Sequence, residues 1–364
     1  MNPREALVAL NLIKDVGPIT VRHLMDHFGS APAILRAPVR ELLQVDRVGP
    51  ETAQTIVRWE QTVDLAGELK RIRDFDCHII VNEDAEYPPL LREIYDPPVI
   101  LYVRGELTDR DHHAVAMVGA RMATQYGRAM ANKLAGQLAR AGLTVVSGGA
   151  SGIDSASHEG ALAAGGRTIT VLGTGMDIVY PSENADLFKR VSENGAVITQ
   201  FPFGRRGSKH SFPIRNRIVA GMARVTMVVE ANRASGALIT ANLAGEYGRT
   251  VFAVPGRIDS PRSAGCHDLI RDGAQLCGDA DDVLEDFDQI FVSTKADSSD
   301  SRPMPELNGH EEKIYAILSH EELTVDEIIG QTSLSVADVT VALLQLELKR
   351  LAKQLPGRLF VKAR

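Results

Sequence analysis

Six short apolar runs rich in β-branched residues recur through the middle of the chain: Ala114 to Val118, Leu143 to Val146, Thr168 to Leu172, Ala196 to Thr199, Val225 to Val229 and Thr250 to Val254. Segments of helical period, such as Tyr126 to Ala139, separate them. Continuous apolar strands alternating with helices belong to a mostly parallel sheet covered on both faces. The pattern predicts a Rossmann-like, doubly wound α/β domain over residues 73–290.

The flanks read differently. Over residues 1–72 the apolar positions follow a helical period, and Val16-Gly17-Pro18 and Val48-Gly49-Pro50 repeat one punctuation, which predicts a helical domain of SAM or helix-hairpin-helix type. Residues 291–306 are Ser-, Asp- and Pro-rich and too polar to pack, so they read as a linker. Beyond it, residues 307–364 carry a capping box at Thr324 and Glu327, a helix start at Ser335 with Val339, Leu343 and Leu346 on one face, and a Pro356-Gly357 turn between short strands. That is a winged-helix pattern, and its near balance of acids and bases leaves duplex DNA and a protein partner both open.

Composition narrows the class. The 364 residues carry a net charge of -7 and three cysteines without Cys-x-x-Cys spacing, so neither a disulfide framework nor a zinc site is indicated. With no signal peptide and no run of eighteen apolar residues, a cytoplasmic protein is expected. The average charge conceals a basic stretch. Phe201 to Arg217 holds Arg205, Arg206, Lys209, Arg215 and Arg217 among Phe201, Phe203 and Phe212 with no carboxylate, as a surface for single-stranded nucleic acid would.

In a doubly wound sheet ligands bind beyond the carboxyl ends of the strands. Here those ends are glycine-rich: Gly119-Ala120-Arg121, Ser147-Gly148-Gly149 and Val254-Pro255-Gly256. Glycine lets the backbone approach a ligand, and the following helix N-termini favour phosphate. The Gly-x-Gly-x-x-Gly fingerprint and the Walker pattern are both absent, which argues against a nicotinamide cofactor and a P-loop. Ser147, Ser151, Asp154 and His158 are close in sequence but lack a nucleophile elbow, and His23 with His27 is too few for a metal site, so no catalytic residue, metal or cofactor is expected. Arg121 could clamp a phosphate or pair with a carboxylate; Phe212 could stack a base or belong to the core; Asn216 could meet a ligand or cap a helix.

Together with Tyr180-Pro181, Phe212-Pro213-Ile214-Arg215-Asn216-Arg217, Glu230-Ala231 and Ser235-Gly236-Ala237-Leu238-Ile239-Thr240, these motifs resemble the DNA-processing protein DprA (Smf) family across the whole middle domain. The resemblance implies a non-catalytic, homodimeric protein that binds single-stranded DNA, counters single-strand-binding protein and loads RecA during natural transformation. It also implies DNA-binding roles for Gly119, Arg121, Ser147, Gly148, Gly149, Lys209, Phe212, Arg215, Asn216 and Arg217. Within that set Arg121 and Lys209 would take phosphate, Phe212 a base, and Arg215 and Arg217 phosphate or bracing. Ala120, Ser151 and Gln200 depart from the family pattern. The alternative is a nucleotide-processing enzyme of phosphoribohydrolase type on a related scaffold, whose Pro-Gly-Gly-x-Gly-Thr motif this chain lacks.

Overall fold

The computed structural model describes residues 1–295, 307–318, 323–332, 334–349, 351–355 and 359–362. These fall into two compact units, Met1–Ile290 and Phe291–Arg364.

All six apolar runs of the middle domain are strands: β3 (Ala114–Val118), β4 (Thr144–Ser147), β5 (Thr168–Val171), β6 (Gly195–Thr199), β7 (Val225–Val228) and β8 (Thr250–Ala253). They are mutually parallel, and β3 to β7 are buried along their whole length, as strands covered on both faces must be. Three further strands widen the sheet: β1 (His78–Val81), β2 (Ile100–Gly105) and β9 (Gln275–Leu276). The complete order is β1-β2-β6-β5-β4-β3-β7-β8-β9, with β1 and β2 antiparallel. The doubly wound sheet therefore has an antiparallel edge.

That edge carries the N-terminal helices. Gly17 and Gly49 are the N-caps of helices Pro18–Phe28 and Pro50–Val57, so each Gly-Pro pair starts a helix with proline where no amide is needed. The helices share one apolar core with Ile79 and Val81 of β1, Ile100 and Tyr102 of β2, and Phe203. A buried carboxylate locks the join. Glu68, in helix Leu65–Asp74, accepts hydrogen bonds from Tyr102 Oη (2.8 Å) and the Phe203 amide (3.0 Å), and pairs with Arg71 (3.0 Å).

On one face of the sheet helices Gln125–Arg140 and Ile153–Ala163 pack so closely that a Cβ on Gly160 would lie 2.2 Å from Asn132 O. Helices Ser211–Met222 and Ala237–Glu246 supply Ile218, Val219, Met222 and Ala241 to the opposite core.

Helix Ala280–Lys295 continues through the first five positions of the predicted linker, and the rest of it, residues 296–306, lies outside the described residues. In the second unit helices Gly309–Ile317, Val325–Thr332 and Val336–Leu348 accompany a three-stranded sheet of β10 (Leu323–Thr324), β11 (Ala352–Leu355) and β12 (Leu359–Lys362), ordered β10-β12-β11. The Thr324 and Glu327 capping box is formed, and Val339, Leu343 and Leu346 are buried. The turn at Pro356-Gly357-Arg358 lies outside the described residues, while Leu355 and Leu359 on either side pair across the strands. Among the described residues no single helix is long and apolar enough to cross a membrane.

Candidate nucleic-acid interface

Strand order reverses at β3, with β4 on one side and β7 on the other, and this switch point opens a crevice beyond the strand ends. The opening is a cavity of about 760 Å³. Its rim is built from backbone that only small residues permit. The Ala120 amide donates to Glu230 O (2.7 Å) and the Ile153 amide to Ala120 O (3.2 Å), which ties the β3 turn to both neighbouring connections. Gly152 has a φ of +89°, and a Cβ there would lie 2.3 Å from Ala120 O. The Glu230 side chain then accepts from the Thr124 amide (3.0 Å) and Thr124 Oγ1, holding the residue that caps helix Gln125–Arg140 by accepting from the Gly127 amide (3.0 Å).

The predicted site residues divide into two groups. Gly119, Arg121, Gly148, Lys209, Phe212, Arg215 and Asn216 all line the cavity. Arg121 and Lys209 are exposed, and the Arg121 guanidinium lies over the Phe212 ring, 4.9 Å from its centroid. Phe212 is half-buried: Gly173 and Gly207 approach its edge, and Tyr180 stands beside it with centroids 5.4 Å apart. A Cβ on either glycine would displace the ring, since Phe212 Cδ1 and Cζ would lie 2.6 and 2.8 Å from it.

Ser147, Gly149 and Arg217 are placed elsewhere. Ser147 is fully buried and its hydroxyl donates to Met117 O (2.6 Å), binding β4 to β3. Gly149 turns with a φ of +67° against Phe188 and Thr170. Arg217 is buried, donates to Gln200 Oε1 and pairs with Asp96 (2.9 Å), joining the Asp96-Pro97-Pro98 segment to the Phe201 loop. Gln200, one of the departures from the family pattern, is thus this arginine's acceptor.

Arg215 is both lining and brace. Its Nη1 donates to Gly148 O and Val171 O, and its Nε to Asn216 Oδ1 (3.1 Å). Burial pulls its pKa down to about 10, with the Asp154 charge opposing and Arg121 adding to the fall. Asp154 also lines the cavity; burial raises its pKa, against the pull of Arg215 and the Ala150 amide. Asn216 in turn reaches Gly236 O (3.4 Å), so the arginine, the asparagine and the start of helix Ala237–Glu246 form one scaffold.

The basic and aromatic stretch is therefore not one continuous surface. Phe201 and Phe203 are core, with Phe203 edge-on to Phe75 and Tyr102 at 5.2 and 5.8 Å. Arg205 and Arg206 are exposed on the loop before the site. Ser147, Ser151, Asp154 and His158, close in sequence, are each engaged by different partners. His158 is fully buried between Thr168 Oγ1 (2.7 Å) and Thr170 Oγ1 (3.0 Å), and burial lowers its pKa to about 3, so the ring is neutral and fully engaged. Ser151 donates to Glu183 (2.8 Å). No group of three or more metal-ligating side chains occurs among the described residues.

Sequence reasoning missed Met122, Asn232 and Arg262 in the cavity lining and the clasp at Glu230. Only Glu230 left a trace, as a carboxylate directly after a buried strand. Arg262 lies far along the chain and reaches the site by donating to Met122 O.

These features define a Rossmann-like domain whose switch-point crevice presents exposed cations and an aromatic ring, flanked by a helix-hairpin-helix domain and a winged helix. The chain belongs to the DNA recombination-mediator protein A family, whose model matches residues 78–288. The DprA winged helix domain matches residues 298–358 and a helix-hairpin-helix motif residues 6–65. Relatives include protein Smf of Synechocystis sp., 32% identical over 96% of each chain, and DNA processing protein DprA of Streptococcus pneumoniae, 44% identical over 62% of this chain and 79% of that one. The X-ray structure of S. pneumoniae DprA covers 78% of this chain and 98% of its own, with a TM-score of 0.68 and 33% identity. Helicobacter pylori DprA, whose structure concerns a single-stranded DNA binding mode, covers 59% of this chain and 97% of its own, with a TM-score of 0.53 and 29% identity.

Proposed function

We propose that this protein binds single-stranded DNA in the switch-point crevice and, without catalysing a reaction on it, delivers the strand to RecA. In this reading it displaces single-strand-binding protein, acts in the cytoplasm as a homodimer, and serves natural transformation. Arg121 and Lys209 hold phosphates, and a base extends the stack already formed by the Arg121 guanidinium and Phe212. Arg215, Asn216 and Arg217 hold the walls rather than the strand.

The observation that carries this reading is the meeting of two exposed cations and a half-buried ring on one open cavity. Charge and a π-face together suit a chain of nucleotides better than a lone phosphate. Membership of the recombination-mediator family and the DNA-binding H. pylori relative support it.

The test is binding of labelled oligonucleotides by the full chain across a salt series. Single strands should bind more tightly than duplex, with affinity falling as salt rises. Equal affinity for both forms would overturn the reading. RecA loading is read separately, as faster RecA ATP hydrolysis on single strands precoated with single-strand-binding protein. Release of free base from a nucleoside monophosphate would instead mark a phosphoribohydrolase.

A further inference from the structure

The crevice does not end at its own wall. Asn232 and Ala234, on the connection after β7, line the 760 Å³ cavity on one side and a second cavity of about 560 Å³ on the other. The second is formed by this connection, the loop after β8 and helix Ala264–Arg271, and none of its remaining lining residues belongs to the first. Arg233 and Arg271 lie there with Ile258, which is 96% exposed.

An isoleucine held out in water beside two guanidiniums has the makings of a nucleotide contact, one part apolar and one part cationic. Both arginines are at present turned to a single carboxylate, Asp268, at 2.6 Å from Arg233 and 2.8 Å from Arg271. Arg257 is paired with Asp259 at 2.8 Å. The lining itself thus holds two guanidiniums, Arg233 and Arg271, and one carboxylate, Asp259, which Arg257 pairs from beside the cavity. Exposed pairs of this kind contribute little and exchange readily, so a phosphate entering the cavity competes with Asp268 without a large penalty. His267 is committed to Gly256 O (3.1 Å) and shapes the loop.

Resting on the single-strand reading of the first cavity, we propose that this second cavity is the continuation of the binding track. A strand gripped at Arg121, Lys209 and Phe212 crosses the shoulder at Asn232–Ala234, and its next nucleotides lie over Arg233 and Arg271 with a base against Ile258. The first cavity grips, and the second extends the footprint.

Length dependence tests this. The full chain, wild type and Arg233→Gln/Arg271→Gln, is titrated with oligothymidylates of about 5 and about 15 nucleotides, lengths that span the usual footprint of a single-strand module. The short oligomer should bind both proteins equally. The long one should bind the variant about three- to tenfold more weakly, with a shallower salt dependence, because contacts to phosphates beyond the first cavity are lost. Ile258→Ser, at a side chain 96% exposed, should show the same preference for weakening the long oligomer with an unchanged unfolding midpoint. An equal loss at both lengths, or none at either, overturns the track. Should the wild type bind neither length, the single-strand reading itself fails; wild-type binding with no length-selective loss rejects only the extension. Unchanged DNA binding combined with loss of a protein contact would assign the cavity to a protein partner and likewise overturn the proposal.

Discussion

Lys209 and Phe212 stand on the same short stretch as Arg215 and Arg217, yet the two pairs have opposite fates. The first pair faces the crevice, Lys209 in solvent and Phe212 half-covered. The second begins one helical turn later and is buried, spent on Gly148 O, Val171 O, Gln200 and Asp96. A cation in sequence is available to a ligand only when its own fold has not already used it, and here burial separates grip from frame.

The sharpest way to break that division is Arg215→Ala. It would leave Asp154 buried without its opposing charge and two carbonyls without a donor, costing about 3 to 5 kcal/mol of stability, read from the midpoint of urea unfolding. Loss of DNA affinity with unchanged stability would make Arg215 a ligand contact instead. The frame should also show in its response to acid. The His158 ring protonates near pH 6.5 when unfolded and only near pH 3 when folded, so the unfolded state binds the extra proton. This contribution to stability is intact above about pH 6.5 and declines as pH falls towards 3, by at most about 1.4 kcal/mol per pH unit. Subtracting the profile of His158→Gln should isolate it, and parallel profiles would show that the ring is not held neutral.

The gripping side should respond in binding alone. Phe212→Ala is expected to lose about 1 to 3 kcal/mol of affinity for single strands, measured by fluorescence anisotropy. If it lowers the unfolding midpoint and leaves affinity intact, the ring belongs with the frame. Lys209→Ala should reduce the salt slope by about 0.7, the value for one phosphate on a single strand. Arg205→Ala with Arg206→Ala should have the smallest effect, a slower association at low salt that vanishes as salt rises.

How far the sequence could be read follows the same line between local and distant causes. All six parallel strands were legible because a strand within a covered sheet reads as a short run of apolar and β-branched residues, its few polar positions being mostly threonine. The antiparallel edge was harder: β1 and β2 are short, lie either side of a proline-rich passage, and take their places through a core shared with the helices. At the site, Arg121, Lys209 and Phe212 could be picked out because glycine turns and basic-aromatic clustering are local signals. The burial of Ser147, Arg217 and Phe203 could not, since each depends on a partner remote in sequence: Met117, Asp96, and, for Phe203, Phe75 and Tyr102. Arg262 was invisible for the same reason.

The clasp at Glu68 has a consequence for the loop that follows Phe203. One end of residues 204–210 is moored where the Phe203 amide meets the Glu68 carboxylate of the helical domain; the other is moored by the Ser208 amide on Ser211 Oγ (2.9 Å). Arg205 is fastened between them through Gly175, whose amide donates to Arg205 O (2.8 Å). The segment is a leash with fixed posts. Lys209 follows directly on the second post and lines the crevice, whereas Arg205 is held by its own carbonyl before it. The Glu68 bond therefore fixes where the segment leaves the helical layer, while the bonds at Arg205 and Ser208 fix where it delivers Lys209.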